Sequence, residues 1–237
     1  MGFNDWGELS GILGQPDVRR GVTQAFTPPV GGGSYVYGWN TMDGSVTGMH
    51  GRFVDLSTYN PLAGGGSIRG AVKRVASAAN TGFSPFLFFG AQSGPPSVND
   101  EAYILGLEDA DPFRIVLLKG PLVAGVPAAT DDNSLRRSSD QFQISDNLWF
   151  HLRLDVIAQP NGDVLLQVFR NLLTGGGTVQ NQTWVAINGM DEYLDDVLAA
   201  NSGSVPLVGG YAGFGFSVVN GVSRRGAVDH IELMKAT

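Results

Sequence analysis

From Leu148 to Val156 every even-numbered position is apolar (Leu148, Phe150, Leu152, Leu154 and Val156), while the odd-numbered ones include His151, Arg153 and Asp155. A period of two sends successive side chains to opposite faces of a strand, so this segment has one core face and one polar face. Wound as a helix, it would scatter its apolar residues around the axis. Pro160-Asn161-Gly162-Asp163 follows, and then a second apolar run from Val164 to Phe169. Asn-Gly between two such runs reads as the turn of a hairpin, because both residues tolerate the backbone conformations that a tight turn needs.

The same short period, cut by turn residues, recurs along the chain and predicts strands over 34–40, 45–56, 67–76, 83–91, 102–107, 113–118, 183–187, 210–219 and 227–234. Strands in that number suit an antiparallel two-sheet sandwich. Glycine, 34 of 237 residues and without a Gly-X-Y period, reads as turns and bulges. One segment breaks the pattern: Met190, Tyr193, Leu194, Val197 and Leu198 fall at helical spacing, predicting a short amphipathic helix over 190–200 with its acidic residues near the N-terminal end. Residues 1–33 are rich in Gly and Pro and end in Gly31-Gly32-Gly33. They are expected to form an extended arm on a sandwich spanning 34–237, since no break divides the strands into two self-sufficient sets.

Composition then removes whole classes of chemistry. The chain has no cysteine, which excludes disulfides, thiolate metal sites and thiol nucleophiles. With 15 basic and 22 acidic residues the net charge is −7, and basic residues cluster only in pairs, which disfavours general binding to a nucleic-acid backbone. No stretch approaches the length of an apolar membrane span. The opening Met1-Gly2-Phe3-Asn4-Asp5-Trp6 lacks a basic start followed by an apolar run, so the expectation is synthesis in the cytoplasm without a standard export signal and without membrane insertion.

The run Gly210-Tyr211-Ala212-Gly213-Phe214-Gly215-Phe216 precedes Ala227-Val228-Asp229-His230-Ile231-Glu232-Leu233. Together they resemble the closing strands of concanavalin A-like or laminin-G-like jelly rolls, where a G-x-x-G-F-G strand is often followed by x-x-D-x-I-x-L. Trp149-Phe150-His151-Leu152-Arg153-Leu154 is similar to that group's W-h-x-L-R-L strand, and 67–74 and 102–107 fit its middle strands. The resemblance covers roughly residues 34–235 and implies an all-β jelly-roll sandwich. That fold carries lectins, glycosidases, adhesion modules and viral structural proteins alike.

An enzyme on this fold would most resemble the family 16 glycosidases, whose E-x-D-x-x-E strand aims alternate carboxylates into a cleft, and no segment matches it. Asp100-Glu101 and Glu108-Asp109-Ala110-Asp111 read as strand-end loops, and Asp191 to Asp196 as a solvated helix face. His50, His151 and His230 are too few and too dispersed to announce a metal cluster, and His151 reads as a surface or hydrogen-bonded strand histidine. No nucleophile elbow, zinc-protease or P-loop motif occurs. Asp131-Asp132-Asn133-Ser134 is a calcium-type loop at most, lacking the spaced acidic pattern, and more simply a polar turn. Tyr35, Tyr37 and Trp39 alternate onto one face and form either a sugar-stacking platform or a core or subunit contact.

These observations point to a non-enzymatic protein without a cofactor. Fold type and address disagree: laminin-G-like modules are commonly exported and disulfide-bonded, and this chain has neither sign. A bacteriophage virion protein, released by lysis, reconciles the two, as a capsid decoration, head-fibre or tail-associated component. Its expected partners are other virion proteins and copies of itself, with Phe3, Trp6, Leu9, Ile12, Leu13 and Phe26 of the arm docking on a neighbouring subunit. The alternative is a lectin-like module for host-surface glycans; a glycoside hydrolase-like enzyme comes third. In the predicted strand, Leu152→Ala or Leu154→Ala should be costly and Arg153→Ala far less so.

Overall fold

The computed structural model describes residues 7–10, 18–20, 37–41, 48–56, 65–75, 85–92, 96, 99–108, 112–122, 134–143, 149–172, 183–196, 205–218 and 224–234. Among them the strands are β1 Gly7–Ser10, β2 Val18–Arg20, β3 Tyr37–Thr41, β4 Gly48–Asp55, β5 Gly65–Val75, β6 Pro85–Ala91, β7 Glu101–Leu107 and β8 Ile115–Pro121. They continue with β9 Ser134–Arg137, β10 Trp149–Ala158, β11 Val164–Leu172, β12 Val185–Ala186, β13 Tyr193–Asp195, β14 Tyr211–Val218 and β15 Arg224–Met234. A seven-stranded sheet runs β1-β4-β14-β6-β7-β8-β9, and an eight-stranded sheet runs β12-β11-β10-β5-β15-β3-β2, with β13 also pairing β11. All of these pairings are antiparallel. No helix among the described residues is long and apolar enough to cross a membrane.

The alternation that defines β10 also builds the core. Phe150, Leu152, Leu154 and Val156 are buried with Ile68 and Val72 of β5 and Val164, Leu166 and Val168 of β11, forming one cluster with Leu87, Phe89, Leu105, Leu117, Phe214 and Phe216 of the other sheet. Two antiparallel sheets with their apolar faces packed together are the stable arrangement for strands of this period. The β10–β11 hairpin closes through Gly162 N–H donating to Gln159 C=O, at 3.0 Å, so Pro160 and Asn161 are the central turn residues. Gly162 follows with φ +95°, a conformation L side chains rarely adopt.

The sheets differ in their outward faces. On the seven-stranded sheet a second apolar cluster, Phe86, Phe88, Ala102, Ile104, Val116 and Leu118, is buried as well, so that sheet is apolar on both sides. The eight-stranded sheet is polar on its outward side, and this contrast places the chemistry.

The structure departs from one expectation. The helix over 190–200 is not formed: Met190 ends a turn, with its N–H on Ile187 C=O, and 193–195 is strand β13, while 197–200 lie outside the described residues. Tyr193 and Asp195 are buried and Leu194 is 48% exposed, a period of two where the spacing of apolar residues suggested 3.6. The physical reason is twofold. The edge of β11 offers backbone groups that gain by pairing with this segment, and Asp195 finds a buried partner, Lys119, that a solvated helix face would not supply. Within residues 1–33, read as an arm, β1 pairs with β4 and β2 with β3, so the two segments extend different sheets of the same sandwich.

Candidate functional site

The polar face of the eight-stranded sheet is assembled by register. Across β5, β10 and β11 the outward positions align as Lys73 with Trp149, Ala71 with His151 and Asn171, Arg69 with Arg153 and Phe169, and Ser67 with Asp155 and Gln167. From β15, Asp229 lies opposite Ala71 and Glu232 opposite Arg69, with the register shifting between them. His230, in that irregularity, has φ +53°, an uncommon conformation for a non-glycine residue. Its Nε2 lies 2.9 Å from Glu232 Oε1. Trp184, just before β12, closes the cluster: its ring is 4.7 Å from the His151 ring, 5.7 Å from the Arg153 guanidinium and 6.0 Å from that of Arg69.

Each arginine engages a carboxylate through two nitrogens. Arg69 Nε donates to Glu232 Oε2 at 2.8 Å and its terminal nitrogen donates to the same oxygen. Arg153 Nε donates to Asp155 Oδ1 at 2.7 Å, with the second nitrogen on Oδ2, and the guanidinium lies 4.6 Å from the centre of the Phe169 ring. Such planar pairs are rigid and directional. His151 is fully buried and, among the described residues, neither ring nitrogen has a hydrogen-bond partner. Burial first, then the neighbouring His230 and Arg69, push its pKa down to about 3, so the imidazole is neutral at ordinary pH. Burial raises the pKa of Asp229, whose Oδ1 accepts the His230 N–H at 2.8 Å while Oδ2 has no partner among the described residues. An indole held by cations, flanked by fixed donors and acceptors, suits a ligand with an apolar face and a hydroxyl-rich rim.

Sequence reasoning located this face incompletely. It recognised the polar side of β10 but read His151 as a surface or hydrogen-bonded residue; the structure buries it beneath Trp184, without a hydrogen-bond partner among the described residues. Arg153 was expected to matter little, yet it neutralises Asp155, which is 1% exposed. Arg69, Trp184 and Glu232 were not singled out. The alternation Ser67, Arg69, Ala71, Lys73 beside that of β10 was the available signal, and only its register was missing.

Other candidates fall elsewhere. Tyr37 and Trp39 lie in β3 opposite Val228 and Gly226, and Tyr35 lies outside the described residues. Leu9 lies in β1 opposite Gly51, whereas Phe3, Trp6, Ile12, Leu13 and Phe26 are outside the described residues, as are Asp131 to Asn133. Glu108, read as a loop residue, is 2% exposed and pairs with Arg137 at 3.3 Å. Asp195, read as solvated, is fully buried against Lys119. Among the described residues no group of three or more His, Asp or Glu could hold a metal ion.

No family model and no curated protein matches the sequence. Solved structures do align with the fold. The legume lectin-like domain from Entamoeba histolytica matches at 9% identity and a TM-score of 0.46, covering 99% of this chain and 91% of that one. The conserved carbohydrate esterase of Shiga toxin-encoding bacteriophage phi24B matches at 16% identity and 0.49, covering 98% and 90%. The CBM2 module of the evolved Dit of Lactobacillus casei BL23 phage J-1 matches at 13% identity and 0.43, covering 98% of each chain. At such identities the likeness concerns architecture and leaves activity to the residues themselves. With its two packed antiparallel sheets, the chain is an all-β two-sheet sandwich.

Proposed function

We propose that this chain is a non-enzymatic binding module that holds carbohydrate against the outward face of the eight-stranded sheet. The observation that carries the reading is Trp184, fixed over His151 between the guanidiniums of Arg69 and Arg153. A pyranose ring presents C–H groups on one face and hydroxyls around its edge. The first would stack on an indole, and the second would exchange hydrogen bonds with the arginine–carboxylate pairs. The non-enzymatic part rests on Asp155 and Glu232 each being engaged by an arginine, which leaves Asp229, the carboxyl of this face whose pKa burial raises, without a second free carboxyl among the described residues to act opposite it as glycoside hydrolysis requires.

A glycan array tests this, with Trp184→Ala as control. Saturable binding that the substitution abolishes, without turnover of the bound glycan, supports the reading. Absence of any saturable hit by the folded protein removes it, and release of product would make the chain an enzyme. We propose a virion as its setting: a sandwich without cysteine needs no oxidising export compartment to fold, and lysis would release it already assembled. Peptide mass spectrometry of purified particles should find the chain there, and recovery only from the particle-free fraction would refute that setting.

A further inference from the structure

On the inner side of the sandwich, away from the polar face, Lys119 of β8 meets Asp195 of β13. Both side chains are fully buried, and Nζ lies 2.8 Å from Oδ2. Tyr103 of β7, the residue opposite Lys119 in the sheet, donates its hydroxyl to the same Oδ2 at 2.5 Å. The phenol oxygen in turn accepts Leu207 N–H at 2.9 Å, and its ring lies 5.8 Å from Nζ. Asp195 Oδ1 has no hydrogen-bond partner among the described residues. An ammonium and a carboxylate enclosed this way lose most of their hydration, and a carboxylate oxygen without a donor is especially costly. Proton transfer between them leaves a neutral amine beside a neutral acid, the pair of reactants that condenses to an amide.

We propose that Lys119 and Asp195 form a covalent amide cross-link between the two sheets. The ammonium first gives one proton to the carboxylate. The amine lone pair then attacks Cγ, the C–N bond forms, the nitrogen loses a second proton, and the Cγ–Oδ2 bond breaks. The departing oxygen leaves as water, carrying both protons that the nitrogen lost. Ammonium plus carboxylate thus becomes amide plus water, with no change of charge or oxidation state and no co-reactant. Tyr103 is placed to assist: burial raises its pKa, so the proton stays on the phenol and stabilises the oxygen that leaves. The product removes two buried charges and closes a long loop, since the partners are 76 residues apart in the chain. Such a link stabilises as a disulfide does, by restricting the unfolded chain, in a protein that has no cysteine to make one.

The test is the intact mass of the full-length protein under denaturing conditions, followed by peptide mapping. The expected result is a mass lower than that of the linear chain by one water, with a branched peptide joining the segments around Lys119 and Asp195. Lys119→Met should restore the linear mass. Tyr103→Phe, which keeps the ring, should slow condensation, so that freshly made protein contains a larger linear fraction than wild type. A wild-type protein at the linear mass, both fresh and after prolonged incubation, overturns the proposal. So does a one-water deficit that persists in Lys119→Met. The wild-type measurement decides even if a variant fails to fold.

Discussion

Lowering the pH should weaken this protein through His151, by an amount that its burial sets. The unfolded chain binds a proton on this imidazole near 6.5, whereas the folded one does so only at about 3. Below the unfolded value the unfolded state therefore takes up a proton that the folded state refuses. The stability conferred by the neutral ring is fully present above that value and is lost progressively as the pH falls towards the folded one. Linkage makes the loss about 2 kcal/mol at pH 5 and about 3 kcal/mol at pH 4. The groups around the ring explain why protonation is resisted: Trp184 covers it, Arg69 and His230 disfavour a further positive charge beside them, and among the described residues no acceptor reaches either nitrogen. Asp229 works in the opposite sense, because its pKa is raised and its cost at neutral pH is relieved as it protonates. Comparison with His151→Gln isolates the histidine. Urea denaturation of both proteins between about pH 7 and pH 4 should show the wild type losing stability faster by the amounts above. Parallel profiles, or an imidazole titrating near 6.5 by NMR in the folded protein, would refute the reasoning.

Leu154→Ala should cost about 2–5 kcal/mol in denaturation, because Leu154 is fully buried in the inter-sheet cluster. Arg153→Ala should cost a comparable amount, about 3 kcal/mol, by stranding the buried carboxylate of Asp155; a change within a few tenths would show that water reaches that carboxylate. Gly213→Ala should disrupt the β14–β4 pairing outright, since a Cβ there would lie 2.0 Å from the Arg52 carbonyl oxygen, and soluble, fully folded protein would contradict that packing. Gly162→Ala, by contrast, meets open space and should cost only about 1–2 kcal/mol for its positive φ, with Gly162→Asn less costly still, as thermal melts would register.

Much of the architecture was legible because side-chain period belongs to a single strand. Leu148 to Val156 announced its two faces and 160–163 its turn, both without knowledge of a partner. The nine further predicted strands overlap nine observed ones for the same reason. Where apolar spacing pointed the wrong way, partners decided: 190–200 matched a helix on paper, but the open edge of β11 and the buried Lys119 turned Tyr193–Asp195 into a strand.

The site belongs to tertiary structure almost entirely. His151 carries no local mark of being buried, because the groups that bury and bias it come from β5, from β15 and from the segment before β12. Arg69 faces Arg153 and Glu232 only because β5 lies between β10 and β15 in the sheet order. Sequence alone determined that the chain has strands with one apolar and one polar face, since alternation is a local property of the backbone. Only the tertiary structure decided which polar residues share a face, because strand order and register are settled by burial summed over both sheets.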